Sequence, residues 1–244
     1  MKRIDGRKHD QLRNVALTPD YVIYPEGSVL IAMGKTKVLC NATVEDQVPY
    51  WMKKQGRAGG WVTAEYALLP RSTQERTSRE TRGLRGRTQE IKRMIARSLR
   101  AAVDLTALGK RMCILDCDVL QADGGTRTAA ITGGYIALRM AIQTLVDEGE
   151  VSPHVFLPPV AAISVGVVDD QPMLDLCYSE DFNADADVNI VMNAAGEFIE
   201  VQGTAEGATF DRATFNAMLD LADKGIRELL TIQESVFSRS NLSP

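Results

Sequence analysis

Met112-Cys113-Ile114-Leu115-Asp116-Cys117-Asp118-Val119-Leu120-Gln121-Ala122-Asp123-Gly124-Gly125-Thr126-Arg127-Thr128 is the stretch from which the fold is read. Met112 to Leu120 predicts a buried strand, and Ala122 to Gly125 a turn. A helix starts near Thr126 to Thr128, with Ile131, Tyr135, Leu138, Ile142 and Leu145 as its core face. Glycines at such a corner let the backbone approach an anion closely. The helix start adds N–H groups without intrahelical partners and the positive end of the dipole. Thr126 contributes a hydroxyl and Arg127 a charged fork. Gly125, Thr126 and Arg127 are therefore a candidate phosphate cradle. An ordinary strand-to-helix turn with Thr as N-cap fits the same residue types.

Working outward, Gly86-Arg87-Thr88-Gln89-Glu90 opens another helix, Thr88 to about Leu105, whose apolar residues recur at helical spacing. Arg87 could reach the same anion, or could be a solvated first-turn arginine. Upstream, Gly27–Glu45 predicts a hairpin turning at Gly34-Lys35, and Trp61–Leu69 a short strand ended by Pro70. Residues 71–85 form a basic loop. Downstream come strands at 160–168, 172–178, 187–193 and 197–203, then a helix from about Asp211 to Glu234. This order predicts an α+β (α/β layered) fold in one domain, 1–244.

The 244 residues, 45% apolar and 25% charged, describe a soluble globular chain and exclude a disordered or fibrous one. No run of about 18 apolar residues predicts a membrane span, and the first ten residues lack the apolar core of a signal peptide. A cytoplasmic protein with no membrane partner is expected. Cys40, Cys113, Cys117 and Cys177 sit in apolar strand-like runs and are expected to be reduced core thiols. With only His9 and His154, a histidine-rich zinc site and a Ser-His-Asp mechanism are disfavoured. Gly34-Lys35-Thr36 imitates a P-loop ending, but Gly27 and Gly34 enclose six residues instead of four, and a strand follows where a helix is required.

Net charge is −4, which taken alone argues against nucleic acid. Residues 71–100, however, carry +7, leaving −11 for the rest. Nine of their ten basic residues are arginine, including Arg71, Arg76, Arg79 and Arg93. Arginine suits bidentate phosphate contacts, so the cluster reads as the footprint of a polyanion. A solvated face or pairing across a subunit interface is the alternative. Glu180-Asp181-Phe182-Asn183-Ala184-Asp185-Ala186-Asp187 packs four carboxylates into eight residues between strands. Such crowding suits Mg²⁺ held through one or two carboxylates plus phosphate oxygens, or general-acid work. A solvated acidic turn is again the alternative. Together the three features point to chemistry on a phosphodiester.

The chain resembles the ribonuclease PH family of phosphate-dependent 3′→5′ exoribonucleases, essentially end to end. The marks are Arg3-Ile4-Asp5-Gly6-Arg7, Gly60 to Tyr66 with Leu69-Pro70-Arg71, Gly86 to Ile91, Leu115 to Ala129, and Asp181 with Asp187. The resemblance implies a fold like ribosomal protein S5 domain 2, a mixed sheet with βαβ-type units, and a hexameric ring built as a trimer of dimers. It assigns Arg87, Gly125, Thr126 and Arg127 to inorganic phosphate as co-substrate. It makes Asp181 and Asp187 the catalytic acids, associated with Mg²⁺, and turns the loop arginines toward RNA or a neighbouring subunit. The implied substrates are tRNA precursors and other RNA 3′ ends. Aromatics are only 6% of the chain, so backbone charge is expected to dominate RNA binding, with strong salt dependence. Two other readings compete. One is a non-catalytic RNA-binding subunit of an exosome-like ring. The other is a two-metal hydrolytic nuclease drawing on Asp116, Asp118 and Asp123. A purely structural oligomer gives the acidic turn no use.

Overall fold

The structure is a computed structural model and describes residues 3–205 and 209–240. Met1 and Lys2 of the N-terminal decapeptide lie outside the described residues. The first sheet contains β1 (Val15–Pro19), β2 (Gly27–Met33), β3 (Thr36–Glu45), β4 (Trp61–Leu68) and β5 (Met112–Gln121), in the order β1-β2-β3-β5-β4. β4 and β5 run parallel, with Trp61 opposite Met112 and Leu68 opposite Val119. A parallel pair needs a crossover, and helix α2 (Gly86–Arg100) supplies it, completing a βαβ unit. A short helix α1 (Tyr50–Gln55) lies between β3 and β4.

The second sheet is antiparallel throughout. It comprises β6 (Val160–Val168), β7 (Gln171–Leu174), β8 (Ala186–Asn193) and β9 (Phe198–Ala205), in the order β7-β6-β8-β9. Between β7 and β8 sits one helical turn, α4 (Tyr178–Asp181), and the chain closes with α5 (Arg212–Ser240).

Helix α3 (Thr126–Asp147) explains why two sheets make one molecule. It packs on β2 and β3 on one side and on β6 on the other. Its residues from Thr128 to Leu138 are all buried. A helix apolar all round belongs in a core or a membrane. By length and composition α3 is apolar enough to cross a bilayer, yet most of that stretch is buried inside the fold. One contiguous hydrophobic cluster takes Ile31, Leu115, Ile131, Ile136 and Ile163 from both sheets and α3. All four cysteines are buried and free, and burial pushes the Cys113 thiol up to about 12. They are core thiols, as expected.

Several elements differ from expectation, some of them for identifiable local reasons. Helix α2 begins at Gly86 because Glu80 braces its start, accepting from the Arg85 N–H (3.0 Å) and the Thr88 hydroxyl (2.8 Å). The strand expected over 172–178 stops at Leu174. Asp175, fully buried, takes a left-handed φ of 56° and turns the chain out of the sheet. β1 has no counterpart in the sequence-based expectation: its five residues form an edge strand ending in proline, where a missing donor is tolerated.

Candidate active site

A cleft of about 1280 Å³ opens where the two sheets approach each other. On one wall, β5 runs into the Gly124-Gly125 corner that starts α3. Gly124 and Gly125 have φ of 76° and 65°. A Cβ on Gly124 would sit 2.5 Å from the Leu176 carbonyl oxygen, so only glycine fits there. The corner is heavily braced. The Thr36 hydroxyl donates to the Gly124 carbonyl (2.7 Å) and accepts from the Asp123 N–H (2.9 Å). The Arg13 guanidinium donates to the Asp123 carbonyl (2.6 Å). Thr36, the last residue of the P-loop imitation, therefore braces this corner.

Thr126 Oγ1 lies 2.8 Å from the Tyr66 hydroxyl, which reaches across from β4. Burial raises the Tyr66 pKa. The hydrogen bond with Thr126 and the charges of Arg87 and Arg127 oppose that rise, and all four residues line the cleft. Arg127 is aimed by two neighbours: Nη1 donates to Gln202 of β9 (2.8 Å) and pairs with Glu90 of α2 (3.4 Å). Gln202 in turn donates to Glu90 (2.7 Å). Arg87, exposed at the start of α2, lines the same cleft. The corner, the helix start and two guanidiniums thus face one volume.

The second sheet and the turn between β7 and β8 contribute Asp181 at the end of α4 and Asp187 on β8, both half-buried and both lining the cleft. Asp187 stands opposite Gly166 of β6 and Thr204 of β9. Glu180 of the same acidic run is engaged elsewhere. It is buried, accepts Arg3 Nε and Nη2 (2.7 and 2.5 Å), and closes a capping box with the Cys177 N–H. The run therefore offers two acids that line the cleft rather than an undivided cluster. Among the described residues no group of three or more metal-type ligands exists. A pair of carboxylates fits Mg²⁺, which dehydrates reluctantly and is commonly held by one or two carboxylates together with substrate phosphates.

The arginine stripe divides. Arg76 lines the cleft, and so does Arg85, which nothing in the sequence sets apart from its neighbours. Arg71, Arg79 and Arg93 are exposed but outside its lining. The Ser72 carbonyl accepts the Ala122 N–H (2.8 Å), tying the loop that begins at Arg71 to the Gly-Gly corner. Other members of the stripe serve the fold. Arg97 forks onto Glu200 (2.7 and 2.6 Å), and Arg100 donates to the Val62 carbonyl and lies over Trp61. Asp116 and Asp118 do not line the cleft, whereas Asp123 does. Burial raises the pKa of both Asp116 and Asp118. Without them the ligand set of a two-metal nuclease is not assembled.

Comparison with known proteins agrees with this layout. Residues 11–142 match the model of the 3′ exoribonuclease family, domain 1, and residues 158–225 that of domain 2. The chain belongs to the 3′ exoribonuclease family. It is 55% identical to ribonuclease PH of Corynebacterium efficiens, over 96% of this chain and 95% of that one. It is 52% identical to ribonuclease PH of Bacillus pumilus, over 96% and 97%. Among solved structures, rice Rrp46 superposes with a TM-score of 0.78 at 17% identity, covering 96% of this chain and 99% of that one. The Archaeoglobus fulgidus exosome with RNA bound to the active site gives 0.78 at 23%, covering 94% and 92%. At those identities the structural matches establish the shared fold, while the full-length relatives establish the resemblance to ribonuclease PH.

Proposed function

We infer that this chain is a phosphate-dependent 3′→5′ exoribonuclease. The observation that carries the reading is a single cleft. It is lined at once by a Gly-Gly corner, a helix start, two arginines and a pair of aspartates. Phosphate and phosphodiester are both anionic, so uncatalysed attack is opposed by charge. Arg87, Arg127 and the first turn of α3 neutralise and aim inorganic phosphate, which is mainly positioning and electrostatic stabilisation. A phosphate oxygen forms a bond to the terminal phosphodiester phosphorus, and the bond to the 3′ oxygen of the preceding nucleoside breaks. The products are a nucleoside diphosphate and RNA one residue shorter. A phosphodiester is exchanged for a phosphoanhydride, so the step reverses readily as nucleotide addition.

Asp181 and Asp187 act at the leaving 3′ oxygen, either as holders of Mg²⁺ or through one of them as the acid that protonates it. Bound there, Mg²⁺ supplies positive charge against the developing oxyanion. Arg76, and Arg71, Arg79 and Arg93 beyond the cleft, guide the RNA backbone or meet a neighbouring copy. Precursor tRNA 3′ ends as substrate and a homohexameric ring are part of this proposal, supported by the full-length relatives named ribonuclease PH. The non-catalytic ring subunit is the weaker reading, because both the Asp pair and the Gly-Gly-Thr-Arg corner are intact. The test is 3′-labelled single-stranded RNA with Mg²⁺, with and without phosphate. Nucleoside diphosphate released only with phosphate is the expected result. Nucleoside monophosphate without phosphate overturns it, and binding with neither product favours the ring subunit.

A further inference from the structure

The reaction just described recognises phosphates and makes no use of two aromatic rings in the same cleft. Tyr178 and Phe182 line it on either side of Asp181. The two residues are 51% and 73% exposed, although an aromatic ring gains most from being covered. The Phe182 N–H donates to the Tyr178 carbonyl (2.9 Å), the i, i+4 relation that puts both rings on one face of the turn. Their centroids are 6.0 Å apart with planes tilted by 40°.

This turn is held fast. Glu180 is clamped by Arg3 on its buried side. The Tyr178 backbone rests against the Gly-Gly corner: a Cβ on Gly124 would lie 2.9 Å from the Tyr178 nitrogen, and that N–H donates to Asp123 Oδ1 at 3.4 Å. The rings are thus presented at a fixed place in the cleft, beside the Gly-Gly corner and flanking Asp181 in the chain. Whatever phosphodiester reacts there has a nucleoside on each side, and neither the cradle nor the acids can grip a base.

We propose that Tyr178 and Phe182 form a stacking platform for a nucleobase flanking the scissile phosphodiester. The inference rests on the exonuclease reading above. Every base has a π face, so such a platform holds the RNA end without selecting its sequence. It also narrows the expectation that backbone charge dominates to the strand away from the reacting end; at that end aromatic contact would add grip.

The test measures RNA affinity by fluorescence anisotropy without phosphate, so that no turnover is needed. It uses the full chain, Phe182→Ala, Phe182→Leu and Phe182→Tyr. Three RNAs are compared: unmodified, abasic at the 3′-terminal nucleoside, and abasic at the penultimate one. Phe182→Ala is expected to weaken binding of unmodified RNA about tenfold, the scale of one lost base stack. Phe182→Leu, which keeps apolar bulk but no ring face, should lose as much, and Phe182→Tyr should retain affinity. The Ala penalty should vanish on one of the two abasic RNAs. A penalty that persists on both, or that Leu rescues, assigns Phe182 to packing of α4 and overturns the platform. Unaltered affinity with a changed oligomeric state overturns it too, and makes the rings a contact between copies. Phosphorolysis of unmodified RNA by the unsubstituted chain, run in parallel, separates failure of the exonuclease reading from failure of the platform.

Discussion

Arg13 and Asp175, 162 residues apart, form a buried ion pair with Nη2 to Oδ1 at 2.6 Å, Nε to Oδ2 at 3.0 Å and the Arg13 N–H to Oδ2 at 2.8 Å. Arg13 Nη1 also donates to the Asp123 carbonyl, so one arginine ties the end of β7 to the corner that opens α3. Asp175→Asn is the informative substitution, because asparagine tolerates the left-handed backbone at this position. It removes the charge paired with Arg13 and leaves that buried guanidinium with carbonyl partners but no paired carboxylate. Breaking a buried pair this way costs about 3–5 kcal/mol. Urea unfolding should show a loss of that size, and the phosphate KM should rise because the Gly-Gly corner has lost a brace. A full loss of stability with phosphate KM unmoved would assign the pair to the fold alone.

Glu180 predicts a pH dependence. Burial works against its charge, but the Arg3 guanidinium and the Cys177 N–H outweigh burial and hold its carboxyl below the ordinary 4.5. A folded-state pKa below the unfolded one gives stability that is fully present above the unfolded value and lost as pH falls through the folded value. The stability difference between the parent chain and Glu180→Gln should therefore be constant at neutral pH and shrink below about pH 4.5. Denaturant melts at pH 7, 5 and 3 check this, and a difference that grows on acidification has the wrong sign.

Much of this architecture is legible in the sequence because it rests on local patterns. The alternation of β5, the Gly-Gly corner and the apolar stripe of α3 fall within one short stretch, and they fix where an anion could bind. The acidic run is legible as a cluster but not in its division of labour. Glu180 is withdrawn by Arg3, which lies 177 residues away, and no local pattern announces such a partner. Tyr66, Gln202, Glu90 and Thr36 escape a reading of the sequence for the same reason: each acts through a partner far along the chain, Tyr66 on Thr126, Thr36 on Gly124, and Gln202 on Glu90 and Arg127. Tyr178 and Phe182 do carry a signal, two aromatics flanking a candidate acid at helical spacing, but in a turn too short to show an apolar face.

Arg127 is held by Gln202 and Glu90 rather than left free. Arg127→Ala removes a charge-assisted contact to phosphate, on the order of 1.5–3 kcal/mol, and should raise the phosphate KM by roughly 10–100-fold. Gln202→Ala keeps the guanidinium but loosens its aim, so a smaller rise in the same constant is expected, with RNA KM little changed. Steady-state kinetics at varied phosphate check both. An unaltered phosphate KM in Arg127→Ala removes it from the cradle.

Asp187 offers the sharpest separation of chemistry from folding. It stands on β8 between β6 and β9, with its strand neighbours Ala186 and Val188 buried, so the backbone is set by the sheet and not by the carboxylate. Asp187→Asn is nearly isosteric and should leave the melting curve close to that of the parent. Turnover should fall by about 10²–10⁴-fold, the range that general acid–base groups contribute. The mode of loss distinguishes the two roles open to it. If Asp187 is a ligand, raising Mg²⁺ should recover part of the rate, because a weakened site can be filled by mass action. If it protonates the leaving 3′ oxygen, Mg²⁺ should not restore the rate, and the alkaline limb of the pH–rate profile should disappear. Near-normal turnover in a folded Asp187→Asn variant would exclude both roles and leave Asp181 as the acid at this wall.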